Sequence, residues 1–321
     1  MESAVLNKEN LDINENNVEE KKTAPKKKRK IKGETIFVIA MLAYPVAHFL
    51  LMWIGVNINS ILLTFQVVER GKLVWLSFDD LFYNFETLFQ SFKMDTTQSM
   101  FKASGVYFII SCFITLPIAM FFSYFIFKKI SGHGFFKIIF YLPNILPLIV
   151  LTLVFSLSLS PKGIAEPIFN WFNSSTKDLF VGKNAKWMVW IFCIWAGIGY
   201  DVILLTSGMS RIPRDILESC KMDGVKPMRE FFRIIIPLTW PTVTTLFILG
   251  MMSVFNVYLQ PFFLTQGQND TMTIGLKIYQ ESGGAGLNSP ATLGLFCSLI
   301  GAPIILGTRK FLDSIYEDVS F

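Results

Sequence analysis

Histidine is almost missing from this chain: there are two in 321 residues, His48 and His133, and no HExxH pattern. Zinc-hydrolase chemistry needs clustered imidazole and carboxylate ligands, so it is excluded, and neither a metal site nor a catalytic residue is expected. Charge is scarce as well. Only 17% of residues are Asp, Glu, Lys or Arg, against about 25% in an ordinary soluble domain, which argues against a water-soluble globule. No GxxxxGK[ST] loop occurs, so the chain cannot build the phosphate cradle of a P-loop ATPase. The four cysteines form no close pair. Cys112, Cys193 and Cys297 lie in apolar runs and Cys220 in a charged one, and all four read as free thiols. Of the net charge of +5, residues 1–33 carry +3, which leaves too little on the body for a nucleic-acid-binding surface.

What is present is apolar. Hydrophobic residues make up 52% of the chain, with 32 Phe and seven Trp, and the mean hydropathy is +0.48. A transmembrane helix needs about 20 mostly apolar residues, because every backbone amide must be paired where water is absent. Six windows of that kind are free of charge: Thr35 to Val68, Ala103 to Phe127, Ile138 to Pro161, Trp187 to Ser210 (interrupted by Asp201), Ile234 to Asn269, and Ser282 to Thr308. They predict an all-α polytopic membrane protein with six transmembrane helices. Two windows exceed one crossing, so Asn57 to Gln66 and Thr265 to Asn269 are expected as interfacial or loop segments. Pro45, Pro117, Pro147, Pro241 and Pro303 are tolerable as kinks.

Six crossings put both termini on one side. That side collects 20 Lys/Arg and the other nine, spread over longer loops, so both termini are predicted to be cytoplasmic. Residues 1–33 are polar and predict a disordered tail, whose Pro25 to Lys30 segment (PKKKRK) reads as positive-inside anchoring before a membrane helix, although it also matches a nuclear localisation pattern. No cleavable signal peptide is expected, and the first helix should serve as its own insertion signal. The membrane domain is assigned to residues 34–310, with a C-terminal tail over 311–321. Asn173-Ser174-Ser175 and Asn269-Asp270-Thr271 match the glycosylation triplet and are assigned no function.

The segment 211–237, RIPRDILESCKMDGVKPMREFFRIIIP, has an internal order that an ordinary loop lacks. Pro213 opens a short helix, Asp215 and Glu218 suit its N-terminal end, and Gly224 permits a turn. Phe231, Ile234 and Ile235 then form an apolar stripe before Pro237. Glu218, Asp223, Gly224, Phe231, Ile234 and Pro237 match in type and spacing the signature loop of binding-protein-dependent ABC importer permeases, which the chain resembles over roughly residues 36–310. Ser219, Cys220 and Val225 replace the small residues usual there. Ile212-Pro213, and Phe136 through Tyr141-Leu142-Pro143, add a resemblance to the carbohydrate branch.

That resemblance implies a subunit of the bacterial cytoplasmic membrane, embedded in membrane lipid and passing a sugar substrate. Its implied partners are a second permease subunit, two ATP-binding subunits and an extracytoplasmic solute-binding protein. ATP would be bound by those partner subunits and no cofactor by this chain, and the 211–237 loop would be the coupling helix that docks on an ATPase. The rival classes are a permease for a non-sugar solute, an ATP-independent carrier or channel, and an integral membrane enzyme.

Two further features carry open alternatives. Asp201 is the one acid inside a window, where a charge costs about 2.5–3.5 kcal/mol on insertion scales. It serves either a structural pairing at a subunit interface or the permeation path. Ser253, Asn256 and Gln260 fall at i, i+3 and i+7, one face of a helix. They either hydrogen-bond a sugar or hydrogen-bond neighbouring helices.

Overall fold

The computed structural model describes residues 33–171, 179–284 and 286–316. The tail expected over 1–33, Gly33 aside, and the Asn173-Ser174-Ser175 triplet lie outside the described residues. Two compact units divide the chain at Ile58 and Asn59. The first contributes helix α1, Gly33–Leu63, of mean hydropathy 2.0, which runs on into the second unit. It contains Pro45 and a π-helical turn, Leu50–Ile54. The helix therefore continues well past Asn57, where the apolar window alone suggested that it stops.

In the second unit the chain first makes a hairpin, β1 (Gln66–Glu69) and β2 (Lys72–Trp75), with Val67 opposite Val74. Arg70 (φ 49°) and Gly71 (φ 78°) supply the two left-handed positions that a two-residue turn demands. This ribbon is the only sheet among the described residues, and it lies between two membrane-length helices. Then follow α2 (Tyr83–Ser91), α3 (Asp95–Phe127), α4 (His133–Ile145), α5 (Leu148–Ser158), α6 (Lys183–Met209), α7 (Arg214–Met222) and α8 (Pro227–Leu238). The chain ends with α9 (Trp240–Asn256), α10 (Leu259–Thr265), α11 (Ile274–Ser282) and α12 (Asn288–Asp313). Asn84 on α2 donates to the carbonyls of Thr64 and Gln66 and accepts from Asn288, pinning the ribbon to the start of α12.

Four helices, α1, α3, α6 and α12, are long and apolar enough to cross a membrane, and six crossings follow if each of two bent pairs counts as one. The first pair, α4 and α5, bends by 112°. Its cause is local: Pro147 has no N–H and forces the residue before it out of the helical region, and Leu146 is extended (φ −85°, ψ 141°). Phe140 on α4 lies against Gly199 in the second half of α6, whereas Phe155 on α5 packs on Phe192 (5.2 Å) and Phe180 (6.3 Å) near its start. The pair therefore advances along α6 rather than returning.

The second pair, α8 and α9, bends by 77° at Thr239, whose hydroxyl donates to the carbonyl of Ile235 at 2.7 Å. Prolines shape the helices in another way. The π-helical turns Ile110–Thr115 and Phe231–Ile235 end two residues before Pro117 and Pro237, where a proline ring would strike the carbonyl four residues back. Widening the turn by one residue relieves that contact.

In lipid no hydrophobic force draws helices together, so close van der Waals packing must hold the bundle. Interlocking apolar side chains and a few small residues provide it. The fully buried Val202, Leu205 and Met209 of α6 pack with Leu116, Ala119 and Tyr124 of α3 in one core. At Gly250 of α9 a Cβ would come within 2.7 Å of Cys112 Sγ on α3. The boundary drawn at Lys310 falls inside α12, which runs to Asp313, and Trp240 Nε1 donates to the Leu312 carbonyl at 2.8 Å.

Candidate functional site

A cavity of about 430 Å³ opens among α3, α4, α5, α6 and α9, within the roughly 300–1,000 Å³ typical of small-molecule sites. Non-helical backbone at membrane depth is tolerated only where protein buries it or it lines a wet cavity. Both interior breaks obey this. Leu146, at the α4–α5 break, and Val257, after the end of α9, are lining residues. The Val257 carbonyl accepts from Thr273 Oγ1 at 2.6 Å, and that same oxygen caps α11 by accepting from the Leu276 amide at 3.1 Å.

The polar groups on the wall come from separate elements. Asn144 enters from α4, Tyr200 and Asp201 from α6, Ser253 from α9 and Gln260 from α10. Ser253 Oγ is buried and has no hydrogen-bond partner among the described residues. Sequence spacing placed Ser253, Asn256 and Gln260 on one continuous helix face; instead α9 stops at Asn256 and Tyr258 leaves helical geometry (φ −138°). Ser253 and Gln260 line the cavity, while Asn256 is exposed and not among its lining residues. Asp201 lines it too, and no hydrogen bond or ion pair with the described residues engages its carboxylate. Asn144 and Tyr200 were not singled out in the sequence, since nothing local marks an amide or a phenol as facing a cavity rather than a neighbouring helix.

The 211–237 hairpin is the second arrangement. α7 ends in a Schellman-type cap: Gly224 sits at φ +65°, its amide donates to the Lys221 carbonyl at 3.1 Å, and Val225 N donates to the Cys220 carbonyl at 3.0 Å. Asp215, Glu218, Met222 and Asp223 are exposed, while Ile212 and Cys220 are buried. Phe231 and Ile235 are buried in the core with Tyr124 and Met209, and Ile234 and Pro237 are half-buried. The apolar stripe thus anchors the hairpin inward and leaves α7 as the presented face. A Cβ at Gly224 would meet nothing within 4 Å, so a substitution there costs backbone strain alone. Gly224→Val is expected to weaken the cap by about 1–3 kcal/mol, whereas Gly224→Asn, a residue that tolerates left-handed geometry, should stay near the parent. Proteolysis of the hairpin in membrane vesicles distinguishes the two.

Glu230 was missed. It is buried on α8, and Lys128 Nζ at the end of α3 pairs with its Oε1 at 2.6 Å. The Tyr124 hydroxyl lies 3.3 Å from Glu230 Oε2 and 3.1 Å from the Pro227 carbonyl, and can donate to either. No sequence signal joins residues 102 apart.

A polytopic helical bundle with a polar cavity at its helix breaks and a rigidly capped amphipathic hairpin at one end has the build of a membrane permease. The chain belongs to the family of binding-protein-dependent transport system inner membrane components, whose family model matches residues 101–317. It is 30% identical over 233 residues to a probable ABC transporter permease protein of Mycoplasma genitalium, an alignment covering 64% of this chain and 69% of that protein. Against the maltose/maltodextrin transport system permease protein MalF of Escherichia coli the identity is 27% over 183 residues, 54% of this chain but only 34% of MalF. The fold matches a chain of a bacterial ABC transporter involved in the import of the acidic polysaccharide alginate, with a TM-score of 0.75 and 21% identity over 89% of this chain and 97% of that one.

Proposed function

We propose that this chain is the permease subunit of an ATP-driven sugar importer, forming half of a translocation pathway with a second permease. One of two ATP-binding subunits would dock on α7, with both termini on that side of the membrane, and a solute-binding protein would deliver sugar from the other side. Glu218 and Asp223 would face the ATPase, Gly224 would shape the turn, and Phe231, Ile234 and Pro237 would transmit its movement into the bundle. The chain performs no chemistry itself.

One observation carries the reading of the cavity: Asn144, Ser253 and Gln260, from three different elements, meet where two helices break. Amide and hydroxyl groups at such breaks suit a polyhydroxy solute, since each hydroxyl both donates and accepts. The name of the related maltose/maltodextrin permease favours the same class.

The test is uptake of radiolabelled maltose and maltodextrins by vesicles carrying the whole transporter. Gln260→Leu leaves a sugar hydroxyl without its partner, a loss of about 1–3 kcal/mol, so uptake at low sugar concentration should fall about tenfold or more. Asn256→Leu should have a smaller effect. Unchanged uptake in Gln260→Leu would instead assign Gln260 to packing between helices.

A further inference from the structure

The cavity is polar and its wall carries one acid, Asp201, with no Lys, Arg or His among the lining residues. An ionisable side chain within a span faces protein or water and is ordinarily paired there, yet no ion pair or hydrogen bond with the described residues holds this carboxylate. The half-buried Lys128 and the buried Glu230 satisfy each other elsewhere. When Asp201 is ionised, the field in the cavity is that of one carboxylate with no cation on the wall to oppose it, and low-dielectric walls focus such a field.

The geometry points to Asp201 as a charge filter: this half of the pathway admits uncharged or ammonium-bearing polyhydroxy solutes and rejects sugars that carry a carboxylate or phosphate. The inference rests on reading the cavity as the sugar path. The fold itself sets no charge preference, because a transporter chain of the same fold serves the import of an acidic polysaccharide. Selection by charge must then reside in side chains, and Asp201 is the acid placed to exert it. Two like charges about 7 Å apart repel appreciably even at an effective dielectric between 20 and 80. A neutral sugar meets no such barrier, and its hydroxyls can donate to the same carboxylate.

The experiment reads the field without needing the natural substrate. In vesicles carrying the complete transporter, Cys112, Cys193, Cys220 and Cys297 are replaced by serine and Leu249→Cys serves as the reporter on the cavity wall. Its rates of modification by two methanethiosulfonates of similar size are compared, one bearing a trimethylammonium and one a sulfonate, each normalised to a free thiol. With Asp201 present the cationic reagent should be favoured by about tenfold. Asp201→Asn should bring the ratio close to that of the free thiol, while Asp201→Glu, which keeps the charge, should retain the preference. A ratio unaltered by Asp201→Asn overturns the proposal. Equal normalised rates in the chain that retains Asp201 overturn it as well, whether or not the asparagine variant folds. A transport arm compares maltotriose with its aldonic acid, whose reducing end is a carboxylate: the parent should take up only the neutral sugar, and Asp201→Asn should narrow the difference. If neither sugar is taken up, the sugar reading fails, and the reagent ratio still decides the charge filter.

Discussion

Gly199→Ala is expected to yield a chain that inserts but no longer transports. α4 crosses α6 so closely at this point that a Cβ on residue 199 would fall on the carbonyl oxygen of Phe140 and the amide nitrogen of Asn144. The first of these is backbone, so no rotamer change relieves the clash. Either α4 moves bodily or the packing opens, and overpacking of this kind costs about 1–3 kcal/mol or more. Because lipid supplies no compensating hydrophobic force between helices, the contact has little else to hold it. A displaced α4 carries Asn144 away from Ser253 and Gln260, so the cavity loses its convergent polar groups. Gly105→Ala is the control: it also adds a methyl to a helix of the bundle, but meets nothing within 4 Å, and should keep uptake near that of the parent. Uptake and the amount of membrane-inserted chain, measured together, separate failed transport from failed insertion.

Glu230→Ala is expected to produce the second large loss, this time in coupling. The pair with Lys128 joins the end of α3 to the start of α8, and so ties the hairpin to a membrane-spanning helix. Removing one member of a fully buried pair costs about 3–5 kcal/mol. Lys128 retains 23% of its side-chain exposure, so solvent softens the penalty to about 1–3 kcal/mol. Sugar-stimulated ATP hydrolysis should fall with the hairpin loosened, although the chain still inserts. The Lys128→Ala, Glu230→Ala double variant should be less impaired than the two single losses combined, because no unpaired charge remains. Strict additivity in that cycle would show that the pair does not act as a unit. Glu218→Lys should behave differently. It alters an exposed charge offered to a partner, so its effect should shrink at high salt, while that of Glu230→Ala should persist.

The charge-free windows overlap the four membrane-length helices and the two bent pairs, because the need to pair every backbone amide in lipid is absolute and leaves a mark in composition. The breaks were harder to read. Pro147 looked like one more tolerated kink, yet it extends Leu146 and bends its span by 112°. Nothing in the run Phe255-Asn256-Val257 announced that α9 ends there, since the cause lies elsewhere in the chain. Thr273 takes up the Val257 carbonyl, and Gly275 lets α11 approach the Phe255 carbonyl where a side chain has no room. Assigning one helical face to Ser253, Asn256 and Gln260 therefore grouped three residues of which two share the cavity. The hairpin was far more legible, because capping is local: Pro213 and Gly224 act on their own neighbours. The Lys128–Glu230 pair was illegible for the opposite reason, being a tertiary contact that no sequence period encodes.

The claim that the cavity is the sugar path is tested most directly by substrate protection. With Gln260→Cys as the reporter in an otherwise cysteine-free complete transporter, alkylation is followed under turnover, with solute-binding protein and ATP, in the presence and absence of a saturating maltodextrin. The account predicts that the sugar slows alkylation at position 260 and leaves a reporter at the exposed Ile315 unaffected. Continued uptake of the sugar with no change in the alkylation rate at position 260 would contradict it.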